Sequence, residues 1–131
     1  KIAKQLDWVD ARNIFLVGSS EGGATSATVS TDFDSGVNAR VIEGWTCHAG
    51  WNEYRGINAP SSEAVLALVA DQDPWFQDSW TRGSCGTYMN SENGSRSVVY
   101  HTGSLMSNHS LLDDSDVQNM VLEFLKAHMI E

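Results

Sequence analysis

An apolar stretch at residues 13–17, Asn-Ile-Phe-Leu-Val, runs directly into Gly18-Ser19-Ser20-Glu21-Gly22-Gly23-Ala24 with no loop of ordinary length between. Few structures allow so abrupt a change. Gly18, Ser20 and Gly22 fit G-x-S-x-G, the strand-to-helix turn that holds a serine in a strained conformation with its hydroxyl exposed at the carboxyl end of a sheet. A Cβ at Gly18 or at Gly22 is expected to collide with neighbouring backbone. A helix beginning after Ser20 would aim backbone N–H groups, that of Glu21 first, at an oxyanion. Gly and Ser are common enough for the pattern to arise by chance. The strand-like run before it and the small residues after it are what favour a nucleophile at Ser20. A phosphate-binding loop is disfavoured, because no G-K-[ST] follows and Glu21 opposes an anion.

Three further apolar segments follow at residues 39–45, 64–70 and 97–101. The first and third of the four are nearly continuous apolar runs, as expected for strands buried on both faces of a parallel sheet. The spacing leaves room for a crossover helix after each. The pattern predicts an α/β fold, a parallel sheet of about four strands with flanking helices. The clearest helix is the last, with Val117, Met120, Val121, Phe124 and Leu125 on one face and Ser115 with Gln118 as a capping pair. The stretch after the Gly-Ser turn, residues 21–30, is a poor helix former and reads as loop by propensity. The opening residues have helical spacing, with Ile2, Leu6 and Val9 on one side, and the chain is expected to begin mid-fold at Lys1.

A serine nucleophile needs a base, and the base an orienting acid, in chain order Ser, acid, His for this kind of turn. Asp73 lies just beyond the third apolar run with Pro74 after it, and Asp71 two residues earlier can do the same job. Either is otherwise a turn-forming aspartate. Among the histidines, His128 sits on the terminal helix as a C-terminal dipole partner, and His48 comes too early in the chain to be the base. His101 reads as a half-buried strand residue. His109, in the loop before the last helix, is the preferred base because a loop imidazole can swing over Ser20.

With 8 basic and 17 acidic side chains the net charge is −9, which disfavours nucleic acid and anionic membrane surfaces as partners. No apolar run approaches the roughly 18 residues of a membrane span, so the 131 residues read as one soluble domain. Cys47 and Cys85 have no metal-ligand spacing and no metal site is expected; one disulfide and two separate thiols are equally compatible, so the compartment stays open. Trp45, Trp51 and Tyr54 follow the second run, and Trp75, Phe76 and Trp80 the third. Since ligands bind at the carboxyl ends of such strands, Trp45, Trp51 and Trp75 are candidate walls of an apolar acyl or aromatic pocket, or else they pack loops over the core. Arg55 and Arg82 are candidates to steer a carboxylate, or solvated surface charges.

The succession of the Gly-Ser turn, the run ending Ala70-Asp71-Gln72-Asp73-Pro74-Trp75, and His109 before the last helix resembles the second half of an α/β-hydrolase, most closely the dienelactone hydrolase-like branch. That branch reads G-x-[CS]-x-G-G, then G-x-x-D-P, then a histidine before a terminal helix, and its pattern selects Asp73 over Asp71. The resemblance covers residues 1–131 as a partial domain. It implies a serine hydrolase acting on small carboxylic esters or lactones, with no cofactor, through Ser20, His109 and Asp73. Ser20 stands where dienelactone hydrolases have cysteine, which implies general ester hydrolysis rather than that lactone chemistry. The loop from Gly103 to His109 is longer than the family's.

The family also begins with strands and helices that have no counterpart here. The strand at residues 13–17 would then lack a neighbour and need a strand from an N-terminal segment, another chain or a second copy. One oxyanion donor, the Glu21 N–H, is expected here and the second from that absent half; losing one such donor costs about 10²–10³ in rate. The alternative is a non-catalytic hydrolase-like binding or structural module that keeps the turn as architecture.

Overall fold

The computed structural model describes residues 2–31 and 36–131; Lys1, where the opening stretch begins, lies outside them. Four strands, β1 (Phe15–Ser19), β2 (Ala39–Glu43), β3 (Ala64–Ala70) and β4 (Arg96–Tyr100), form one parallel sheet in chain order. Phe15 is level with Ala39, Ala39 with Ala64, and Leu66 with Arg96. The fold is α/β, with helix α1 (Glu21–Thr28) on one face and α2 (Ser115–Ala127) on the other. Side chains alternate across the strands. Ala39, Val41, Leu66 and Leu68 therefore meet Val117, Val121 and Phe124 of α2, while Ile42, Val65 and Ala67 meet Ala27 of α1 and the loops.

The run at Ala64–Ala70 is buried throughout, as its unbroken apolar character requires. β2 is buried throughout as well, although it carries Arg40 and Glu43. Charges at such depth are costly unless partnered. Arg40 pairs with Glu63 and also donates to the carbonyls of Ser26 and Val29, and Glu43 accepts from the Leu111 N–H. β1 differs from its expected burial: it has β2 on one side and, among the described residues, no strand on the other. Val17 is 48% exposed there.

The segment read as loop after Ser20 is a helix. Packing overrides propensity, because small side chains let α1 lie close to the sheet. Ala27 is fully buried and Ser26 Oγ donates to the Val41 carbonyl of β2 at 2.9 Å. At the start of α2 the cap is Asp114, whose carboxylate accepts from the N–H groups of Asp116 and Val117. Ser115 is already helical, and Gln118 donates to Leu112 O rather than closing a capping box. Val117, Val121 and Phe124 are buried as the periodicity predicts, and Met120 and Leu125 pack against them.

Among the described residues, only the β1–β2 crossover carries an α-helix. The other two contain short 3-10 turns, at Asn52–Tyr54, Cys85–Tyr88 and Ser91–Asn93, where Pro60, Pro74 and positive-φ glycines such as Gly56 and Gly94 interrupt helical continuation. At the other end, Ile2–Gln5 is a single 3-10 turn with no buried residue, so Ile2, Leu6 and Val9 do not form a packed helical face. Cys47 and Cys85 are joined, tying the loop after β2 to the loop after β3 across 38 residues. In the chain-entropy account a loop of that length is worth about 4 kcal/mol.

Candidate active site

β1 ends at Ser19 and α1 begins at Glu21, so a single residue makes the turn. That residue, Ser20, has φ 57° and ψ −117°, a region strained for a side chain with a Cβ. The turn is held by the Ser20 N–H donating to Glu43 O of β2 at 2.9 Å. A Cβ on Gly18 would lie 1.9 Å from Gly22 O, so glycine is obligatory there. Gly22 corrects the expectation: nothing lies within 4 Å of its Cβ position. The second crowded glycine is Gly23, whose Cβ would sit 2.6 Å from Glu43 O and 3.2 Å from Trp45 Cβ, because this is where α1 crosses the end of β2.

Asp73 follows β3 in a tight turn closed by its N–H to Ala70 O. Its side chain is fully buried; Oδ1 accepts the Trp75 N–H at 3.0 Å and Oδ2 lies 2.7 Å from His109 Nδ1. His109 comes from the loop between the 3-10 turns Ser104–Ser107 and Leu111–Asp113, and its Nε2 is 2.9 Å from Ser20 Oγ. With Asp73 ionised, the network assigns the proton to Nδ1, leaving the Nε2 lone pair for the Ser20 hydroxyl. The structure thus brings Ser20, His109 and Asp73 into one chain of hydrogen bonds.

Asp71 and His101 are left outside it as an exposed pair, with Nδ1 and Oδ2 3.6 Å apart. His101 is one residue past β4 and exposed rather than half-buried. His48 lies beside the disulfide, its Nε2 3.1 Å from Ser84 O, and His128 caps α2 with Nδ1 2.8 Å from Phe124 O.

A cleft of about 420 Å³ opens over Ser20, lined by Ser19, Glu21, Trp45, Trp75, Phe76 and His109. Glu21 is the first residue of α1, where a backbone N–H has no intrahelical acceptor. Trp45 and Trp75 line this cleft. Trp51 does not line the cleft; it lies in the stretch that turns at Gly50 beyond the Cys47–Cys85 tie. Phe76 takes the corresponding place, edge-on to Trp45 with centroids 5.7 Å apart. Arg82 bonds Gln77 Oε1 and lines a smaller hollow of about 200 Å³ that also borders Phe76, while Arg55 is exposed. Two residues the sequence did not single out adjoin these groups: Glu43, whose carbonyl accepts the Ser20 N–H, and Gly44, which lies against His109; no local pattern marked them.

Among the described residues no group of three or more His, Cys, Asp or Glu is arranged to hold a metal ion, and no helix is long and apolar enough to cross a membrane. No significant match to this chain is found among protein-family models, curated proteins or solved structures.

Proposed function

We propose that the protein is a serine hydrolase of the α/β-hydrolase type, an esterase acting on small carboxylic esters or lactones. One observation carries this reading: His109 bridges Ser20 Oγ and Asp73 Oδ2 at 2.9 and 2.7 Å, with the serine at a strained turn facing an open cleft. Ser20 Oγ attacks the ester carbonyl as His109 Nε2 takes its proton, and the Glu21 N–H steadies the oxyanion. The Nε2 proton passes to the departing alkoxide, leaving an acyl-serine. A water molecule then gives a proton to Nε2 and its oxygen to the acyl carbon; the carboxylic acid leaves and Ser20 is restored. Trp45, Trp75 and Phe76 offer the acyl or alcohol group an apolar wall.

The test is labelling by a fluorophosphonate. Ser20 is expected to react, and Ser20→Ala to abolish the adduct. A folded protein that does not label supports the binding-module reading instead.

The same proposal includes an added strand along β1, from an N-terminal segment, another chain or a second copy, with a second oxyanion donor near its end. The β1 edge, unpaired among the described residues, and the exposed Val17 support it. With no other strand supplied, the chain is expected to self-associate through this edge and Val17→Lys to suppress the association. A sedimentation series of the unsubstituted protein with no concentration dependence counts against it.

A further inference from the structure

Glu43 ends β2 on the side facing α2, following Ala39 and Val41, which are core residues there. An aliphatic side chain would continue that packing without the desolvation cost a buried carboxyl carries. Glu43 is nevertheless fully buried, and its Oε2 has no hydrogen-bond partner among the described residues. The other oxygen has a partner: Oε1 accepts the Leu111 N–H at 2.6 Å, reaching a residue 68 positions away that lies two beyond His109.

The backbone of the same residue serves the nucleophile, since Glu43 O accepts the Ser20 N–H at 2.9 Å. Gly44 completes the arrangement. At φ 62° it leaves space above its backbone, and a Cβ there would be 3.1 Å from His109 O and 3.3 Å from His109 Cε1, so the imidazole rests on this glycine. One end of β2 therefore holds the serine turn through a carbonyl and the histidine loop through a carboxyl.

Resting on the hydrolase reading above, we propose that Glu43 is a positioning residue that keeps His109 at hydrogen-bonding distance from Ser20. Its acceptor oxygen, rather than its charge, performs the task. The loop between Gly103 and Leu111 is otherwise joined to the sheet by the Gln72 N–H to Met106 O bond, by the Leu105 and Leu111 side chains packed in the α2-side core, and by the His109 ring. Of the hydrogen bonds, the ring's and that to Glu43 act within two residues of His109. Without the Leu111 anchor the ring is free to shift against both Asp73 Oδ2 and Ser20 Oγ, and a displacement of about 1 Å can cost 10²-fold in rate.

Two polar variants separate acceptor from charge. Glu43→Gln keeps an oxygen at the Oε1 position, whereas Glu43→Asp keeps the charge and withdraws it by one methylene. Ester hydrolysis by Glu43→Gln is expected within about threefold of the parent. Glu43→Asp is expected to lose about 10²-fold in kcat with little change in KM. The downfield proton resonance of His109 Nδ1–H is expected to stay sharp in the first variant and broaden or shift in the second. Should Glu43→Asp not fold, Glu43→Met, of similar length with no such acceptor, makes the same comparison.

A Glu43→Gln variant as impaired as Glu43→Asp, or an unimpaired Glu43→Asp or Glu43→Met, overturns the proposal. Fluorophosphonate labelling of the parent tests the hydrolase reading separately. If the parent does not label, the His109 resonance still decides whether Glu43 positions the ring.

Discussion

Asp73→Asn is expected to lower kcat by about 10⁴-fold while the protein stays folded. The fold should survive because Asn offers the same Oδ1 to the Trp75 N–H and nearly the same volume in a fully buried position. The chemistry should not. Asp73 Oδ2 faces His109 Nδ1 at 2.7 Å and accepts its proton. An amide NH₂ in that place donates instead, so Nδ1 must become the acceptor and the proton moves to Nε2. Nε2 then meets Ser20 Oγ as a donor and has no lone pair with which to take the hydroxyl proton. Asp71→Asn makes the control. Asp71 is exposed and, among the described residues, its carboxylate pairs with His101 alone, and kcat should remain near the parent value. Steady-state hydrolysis of a chromogenic ester by the two variants decides the matter, and equal losses in both would remove Asp73 from its assigned place.

That two aspartates so close together have such different positions shows where local reading stops. The apolar run Ala64–Ala70 needed nothing beyond itself, because a strand buried on both faces has an unbroken apolar sequence. The turn at Ser20 was legible for a related reason: glycine is forced wherever backbone meets backbone, and Gly18 records that contact. Asp71 and Asp73 carry the same chemistry, and only the turn closed by Asp73 N–H to Ala70 O sends the second carboxylate inward. α1 was hidden because its stability comes from Ser26 and Ala27 against the sheet, a tertiary contribution that residue propensities do not contain. Glu43 was hidden more deeply. A glutamate at a strand end reads as a solvated charge, and its partner Leu111 lies in a distant loop. The Cys47–Cys85 bond and the outward course of Trp51 likewise depend on how two loops cross above the sheet.

The glycines of the turn give the sharpest energetic contrast. Gly18→Ala is expected to destabilise the protein by about 4 kcal/mol or more, a large part of the 5–15 kcal/mol typical of a whole domain. The new Cβ would stand 1.9 Å from Gly22 O and 2.9 Å from Gly23 N, and none of these atoms belongs to a side chain that can turn aside. Relief requires α1 to move away from β1, which breaks the Ser20 N–H to Glu43 O bond and uncovers Ala27. Gly22→Ala, four residues later in the same turn, is expected to act in the opposite direction. Its Cβ meets nothing within 4 Å and its backbone is already helical, so the methyl group restricts the unfolded chain without straining the folded one. The gain should be about 0.5–1 kcal/mol. Urea denaturation of the two variants measures both signs. A Gly18→Ala protein as stable as its parent would mean that the serine turn does not hold α1 against the sheet, and the strain at Ser20 that the hydrolytic reading uses would have no structural support.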